Sequence, residues 1–232
     1  MALGAVLLRE PATGAAATAS AAGTLTAGQA MRTRAFYLLW GMLCLNVTAG
    51  IGVISQAAPM LQEMFPASVT PGVAATLIGV LSVANMVGRF GWSAVSDRLG
   101  RRATFTTFFA LGIGMYLAIP TLGAGSLWLT MICLVVILSM YGGGFATMPA
   151  YVKDVFGMAN LGAIYGRVLT AWSVAGVLGP VLVSSLREIQ LARGVPPIQA
   201  YSVTLLVMAG LLAAGLVCSR LMRPESSDGP RG

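Results

Sequence analysis

Six apolar stretches, each long enough to cross a bilayer, follow one another along this chain with short polar joints between them. They cover Ala35–Met60, Gly72–Trp92, Ala103–Leu122, Ser126–Tyr151, Gly162–Leu186 and Ile198–Met222. About 20 apolar residues rising 1.5 Å each span the hydrocarbon core. Any one stretch alone also fits a buried helix in a large soluble core. Six in succession do not, and only 9% of the residues are charged, against about a quarter in soluble domains. The 29 glycines suit helices that pack closely in lipid. The expected fold class is therefore an all-α membrane protein, a six-transmembrane-helix bundle without β-sheet.

The net charge of +7 follows the weave of the chain. Arg32 and Arg34 precede the first stretch, and Arg98, Arg101 and Arg102 follow the second. Lys153 follows the fourth, and Arg220 and Arg223 close the sixth. Six crossings put all of these on one side, with Glu63, Arg187, Glu188 and Arg193 on the other. The positive-inside rule then makes both termini cytoplasmic. The charge is topological and implies no nucleic-acid partner. Residues 1–30 end in an Ala/Thr/Gly tract that can bury too little to fold alone, and read as a disordered linker or tail. Residues 31–223 form the membrane domain, and 224–232 read as a disordered cytoplasmic tail. Cys44, Cys133 and Cys218 all fall inside apolar stretches and read as small hydrophobes. The chain has no histidine and no Cys, Asp or Glu cluster at ligand spacing. No metal, no cofactor and no enzymatic chemistry are expected.

The joint after the second stretch, Asn85–Arg102, is the most specific segment. Gly100 suits a tight turn between antiparallel helices, and Asp97 can pair with an arginine across it. Arg89 lies eight residues before Asp97, about 12 Å deeper on a helix. A guanidinium there is expensive, so it is expected to face the bundle interior or a water-filled cavity, where its rigid fork suits a carboxylate. Snorkelling or a structural bond remains the alternative. Arg167, near the start of the fifth stretch, is an intramembrane charge of either kind. Polar residues cluster in the first, fourth and fifth stretches, and Thr48, Gly52 and Ser55 share a helix face that suits either packing or a cavity. Pro180 is expected to loosen the end of its helix. A concave polar face is expected to set Arg89 beside some of Asn46, Gln56, Tyr141 and Trp172.

From about Leu25 to Arg223 the chain resembles the carboxyl-terminal half of a major facilitator superfamily transporter, with its nearest likeness to the oxalate/formate antiporter family and monocarboxylate-transporter-like relatives. The resemblance rests on Met31–Gln56, Asn85–Arg102, Ser139–Tyr151 and Tyr165–Pro180. It implies that Asp97, Arg98, Gly100, Arg101 and Arg102 form the cytoplasmic-loop gating motif, with Ser93 replacing that motif's leading glycine. It also implies that Arg89 is the substrate-binding arginine of the eighth span. Trp172 stands where oxalate exchangers carry a lysine, which favours a monocarboxylate. The implied activity is secondary transport of a small organic anion, such as a monocarboxylate, formate or oxalate, by alternating access in a bacterial inner membrane. The implied partner is an amino-terminal six-helix half, in the same or a separate chain. The competing reading is a non-transporting membrane module or degenerate half-transporter acting in assembly.

Overall fold

Three of the long helices begin where a hydroxyl can take the place of a missing backbone acceptor. The Thr33, Thr70 and Ser126 side chains accept from the N–H groups of Phe36, Val73 and Leu129, satisfying donors that a helix start leaves open. The computed structural model describes residues 25–222. Its helices are α1 (Ala27–Ala30), α2 (Arg34–Met64), α3 (Pro71–Leu99), α4 (Arg101–Thr121), α5 (Leu127–Phe156), α6 (Leu161–Val168), α7 (Thr170–Ala192) and α8 (Pro197–Leu221). A single 3-10 turn at Gly123–Gly125 joins α4 to α5. Among the described residues six spans are long and apolar enough to cross a membrane, α6 and α7 together making the fifth. The protein is an all-α, multi-pass six-helix bundle.

Three expectations need correction. The helix α1 falls inside the segment read as a tail; a capping box between Thr26 and Gln29 closes it. Residues 1–24 and 223–232 lie outside the described residues. The helices also outrun the apolar stretches, because an α-helix satisfies its own backbone whether or not its side chains remain apolar. Finally, Pro180 sits inside α7 without ending it. The fifth span breaks instead at Leu169, where the Thr170 hydroxyl bonds back to the Arg167 carbonyl and accepts from the Trp40 indole N–H. Back-bonding of this kind bends helices.

Lipid tails are as apolar as leucine, so close fit rather than water exclusion holds such helices together. Helix α2 is central, buried along most of its length and packed on α3, α5, α7 and α8. Thr48 and Gly52 serve packing: a Cβ on Gly179 of α7 would lie 2.9 Å from both the Thr48 carbonyl and the Gly52 nitrogen. At the α3–α5 crossing, Gly88 abuts the Ser139 backbone and Gly142 abuts the Asn85 carbonyl. Helix α4 presents Phe105, Phe108, Phe109 and Tyr116 to the core, where Phe108 meets Trp92 edge-on at 5.0 Å. The Tyr116 hydroxyl donates to the Ala49 carbonyl of α2 at 2.8 Å.

Two helices touch this core only narrowly. Helix α3 buries Ala74, Leu81, Gly88 and Ser96, and α7 buries Ala171, Ala175, Gly179 and Val183. Spacings of seven or eight residues on α3 and four on α7 each trace one thin stripe. The remaining faces of both helices point outward.

Candidate functional site

Contrary to expectation, Arg89 does not face the interior of this bundle: it stands on the outward part of α3, exposed, one residue after the buried Gly88. The tight α3–α5 crossing brings it beside α5, where its guanidinium carbon sits 5.5 Å from the centre of the Phe145 ring. Phe145 in turn packs against Trp172 of α7 at 5.3 Å. Tyr141 lies one turn before Phe145; its phenol is a hydrogen-bonding neighbour of Trp172 and feels the Arg89 charge. Three helices thus assemble one cation on an aromatic shelf. A cation–π contact at an exposed site contributes about 0.5–1 kcal/mol and offers no hydrogen-bond acceptor. Among the described residues, the ion pairs are Arg101 with Asp97 and Asp154, and Arg187 with Glu63. Arg89 takes part in none of them, so its planar donor fork can receive a carboxylate.

Of the residues expected around Arg89, Tyr141 lies near it, and Trp172 is linked to it only through Phe145 and Tyr141. Asn46 and Gln56 do not adjoin it. Asn46 is buried behind α5, its Nδ2 pressed against Gly144 and without a hydrogen-bond partner. It lines, with Tyr116 and Tyr141, a cavity of about 10 Å³, room for one water and far too small for an organic anion. Gln56 donates to the Ser184 hydroxyl at 3.3 Å, tying α2 to α7. Ser184 lies 12 residues beyond Trp172, about 18 Å along the helix. Arg167 is exposed and donates to the Ala163 carbonyl of its own helix at 2.8 Å.

At the joint, Gly100 takes φ +84° between α3 and α4, a value that favours glycine. Arg101 is the hub. It reaches Asp97 at 2.6 Å, the Ser96 hydroxyl at 3.0 Å and Asp154 at the end of α5 at 3.2 Å. Arg102 donates to the Ser219 and Arg220 carbonyls at the end of α8. Arg98 projects away, exposed. At the opposite end, Arg187 of α7 bonds Glu63 of α2 at 2.5 Å and the Tyr201 hydroxyl of α8 at 3.1 Å. Sequence reasoning missed Phe145, because a phenylalanine in an apolar helix carries no sign of its partner. It also missed Asp154, although the Lys153-Asp154 pair at the basic end was a legible signal. Among the described residues no group of three or more His, Cys, Asp or Glu side chains gathers to hold a metal.

The family model described as Major Facilitator Superfamily matches residues 1–180 and 67–231 of this chain. The chain belongs to that superfamily. Among individual relatives, the oxalate:formate antiporter of Oxalobacter formigenes is 24% identical over 152 residues, covering 66% of this chain and 36% of that protein. The uncharacterized MFS-type transporter YhjX of Escherichia coli strain K12 is 25% identical over 155 residues, covering 66% of this chain and 37% of YhjX. The chain thus spans a little over a third of the length of these curated relatives, and its bundle is consistent with one half of the superfamily fold.

Proposed function

We propose that the bundle is the substrate-contacting half of a secondary transporter for a small organic anion, with Arg89 binding the carboxylate. One observation carries this: an intramembrane guanidinium, unpaired among the described residues, rests against the Phe145 ring of α5, which Trp172 of α7 backs. Rings hold it without neutralising it, so a bound anion supplies the missing charge. The printed name of the Oxalobacter formigenes relative supports the same substrate class. Trp172 adds no second cation beside Arg89, which favours a monocarboxylate such as formate over the oxalate dianion. Alternating access needs a second bundle moving against the first around one site. An amino-terminal half, in the same or another chain, would pack over the outward faces of α3 and α7. The basic joint lies at the cytoplasmic face of the inner membrane, with the Asp97–Arg101–Asp154 cluster steadying it between transport states.

The test is exchange of labelled formate, pyruvate and oxalate in proteoliposomes, with the chain alone and together with any six-span half encoded upstream in frame. Arg89→Gln is expected to weaken substrate affinity roughly 10- to 150-fold, as loss of hydrogen bonds to a charged group does. Arg98→Ala is expected to leave affinity unchanged. Unaltered saturable uptake in a properly inserted Arg89→Gln protein would defeat the assignment.

A further inference from the structure

Away from Arg89, a shallow cleft carrying two arginines opens between α4 and α8 at the end that carries the α3–α4 joint. It is open to the outside, holds about 480 Å³ and is lined by Arg102, Ala103, Thr106, Thr107 and Arg220. We infer that this cleft binds the phosphate headgroup of an anionic phospholipid.

The two arginines play different parts. Arg102 is half-buried and fixed, its Nε and Nη2 donating to the Ser219 and Arg220 carbonyls at 3.3 and 3.0 Å, with Nη1 uncommitted among the described residues. Arg220 is exposed and makes no ion pair or side-chain hydrogen bond among the described residues. Thr106 shares a 2.9 Å hydroxyl contact with Ser219, joining the two walls. Among the described residues no carboxylate lines the cleft, and the nearby Asp97 and Asp154 are already held by Arg101. The cleft is therefore cationic and built to accept oxygen.

Its position names the source of the phosphate. Arg220 continues the exposed stripe of α8 formed by Leu206, Ala213 and Val217, while Ala103 begins the exposed stripe of α4 that runs through Ala110 and Leu117. Both stripes are apolar and outward, so acyl chains can lie along them while the headgroup occupies the cleft. A purely topological anchor requires positive charge at this end but no cleft; the outward, unpaired Arg98 already meets that need. Basic pockets between helices at the cytoplasmic side suit anionic lipids. The inference is independent of what Arg89 binds.

The experiment is native mass spectrometry of the full chain released from phosphatidylcholine nanodiscs containing graded phosphatidylglycerol. Phosphatidylglycerol should be retained selectively, with Arg220→Gln weakening it roughly 10- to 150-fold, as loss of a hydrogen bond to a charged group does. Arg220→Lys should restore most of the retention, and Arg98→Gln should lower it by no more than about fivefold, the effect of removing one arginine near an anionic surface. Equal losses in Arg98→Gln and Arg220→Gln would reduce the effect to general surface charge and overturn the site. Displacement of the lipid by millimolar inorganic phosphate would overturn the lipid assignment in favour of a free anion. Unchanged burial of Cys44 and Cys133 toward a thiol dye in Arg220→Gln keeps any loss from being one of folding.

Discussion

Gly142→Ala tests the contact on which the Arg89 site depends. At the α3–α5 crossing, a methyl at position 142 would overlap the Asn85 carbonyl oxygen, with the carbonyl carbon 3.1 Å and the Asn85 Oδ1 3.0 Å away. The obstacle is mainly backbone, so no flexible side chain can swing clear. The helices must part, and a gap of roughly 0.5–1 Å forfeits a quarter to a half of the dispersion attraction along the contact. Overpacking of a tight interface costs about 1–3 kcal/mol; two facing backbones place this change in the upper half of that range. Gly210→Ala on α8 is the matched control, since nothing lies within 4 Å of its added carbon. Alanine is better than glycine in a helix by about 0.8–1.0 kcal/mol, so that variant is expected to be neutral or more stable. Thermal unfolding in detergent, followed by a thiol-reactive dye, reads the difference because Cys44 and Cys133 are buried in the folded bundle. At about 2–4 °C per kcal/mol for a chain of this size, Gly142→Ala should unfold roughly 5–10 °C below Gly210→Ala. Coincident transitions would refute the close-approach argument. Because Gly88 immediately precedes Arg89, the same displacement should move the guanidinium off Phe145 and weaken anion binding along with stability.

Two further outcomes follow from the other polar contacts. Glu63→Gln, Arg187→Met and their double variant form a cycle at the opposite end of the bundle, where the partners are 27% and 28% exposed; partial solvation limits the expected coupling to about 1 kcal/mol, and additive shifts in the thiol-dye transition would show that the pair does not join α2 to α7. Trp172→Lys places a second cation beside Arg89, and should raise preference for oxalate over formate about fivefold, the effect of one surface-type ion pair, as read by competition in proteoliposomes; an unchanged ratio would remove Trp172 from the specificity argument.

The bundle itself was legible because crossing a bilayer demands long apolar runs, and such runs are visible in any order of reading. Helix ends were less so. Ser93–Leu99 and Val152–Phe156 continue α3 and α5 beyond their apolar stretches, and polarity hides a helix that hydropathy alone would end. The break at Leu169 was misplaced for a related reason: proline marks a missing donor in sequence, whereas the Thr170 back-bond and the Trp40 donor belong to tertiary structure. Within the site, the cost of an intramembrane arginine pointed to Arg89 without revealing which surface would face it. Tyr141 and Asn46 looked alike as polar residues in apolar helices. The fold places Tyr141 beside the guanidinium and Asn46 behind α5 against Gly144. The Arg101–Asp154 pair joins residues separated by 53 positions, and no local period encodes such a meeting.

Charge accounting links these observations to function. The carboxylates among the described residues are Glu63, Asp97, Asp154 and Glu188. Three are committed to arginines, Asp97 and Asp154 to Arg101 at one end of the bundle and Glu63 to Arg187 at the other. Glu188 sits beside Arg187 in the chain, exposed at that second end. The acids therefore stabilise the ends, where water and headgroups share the cost of charge, and none accompanies Arg89 into the span. A cation placed there permanently would be more cheaply held by an acid on a neighbouring helix. Aromatic rings orient it, yet leave its charge available. That arrangement is poorly suited to a structural anchor and well suited to a counter-ion that arrives, is carried and departs.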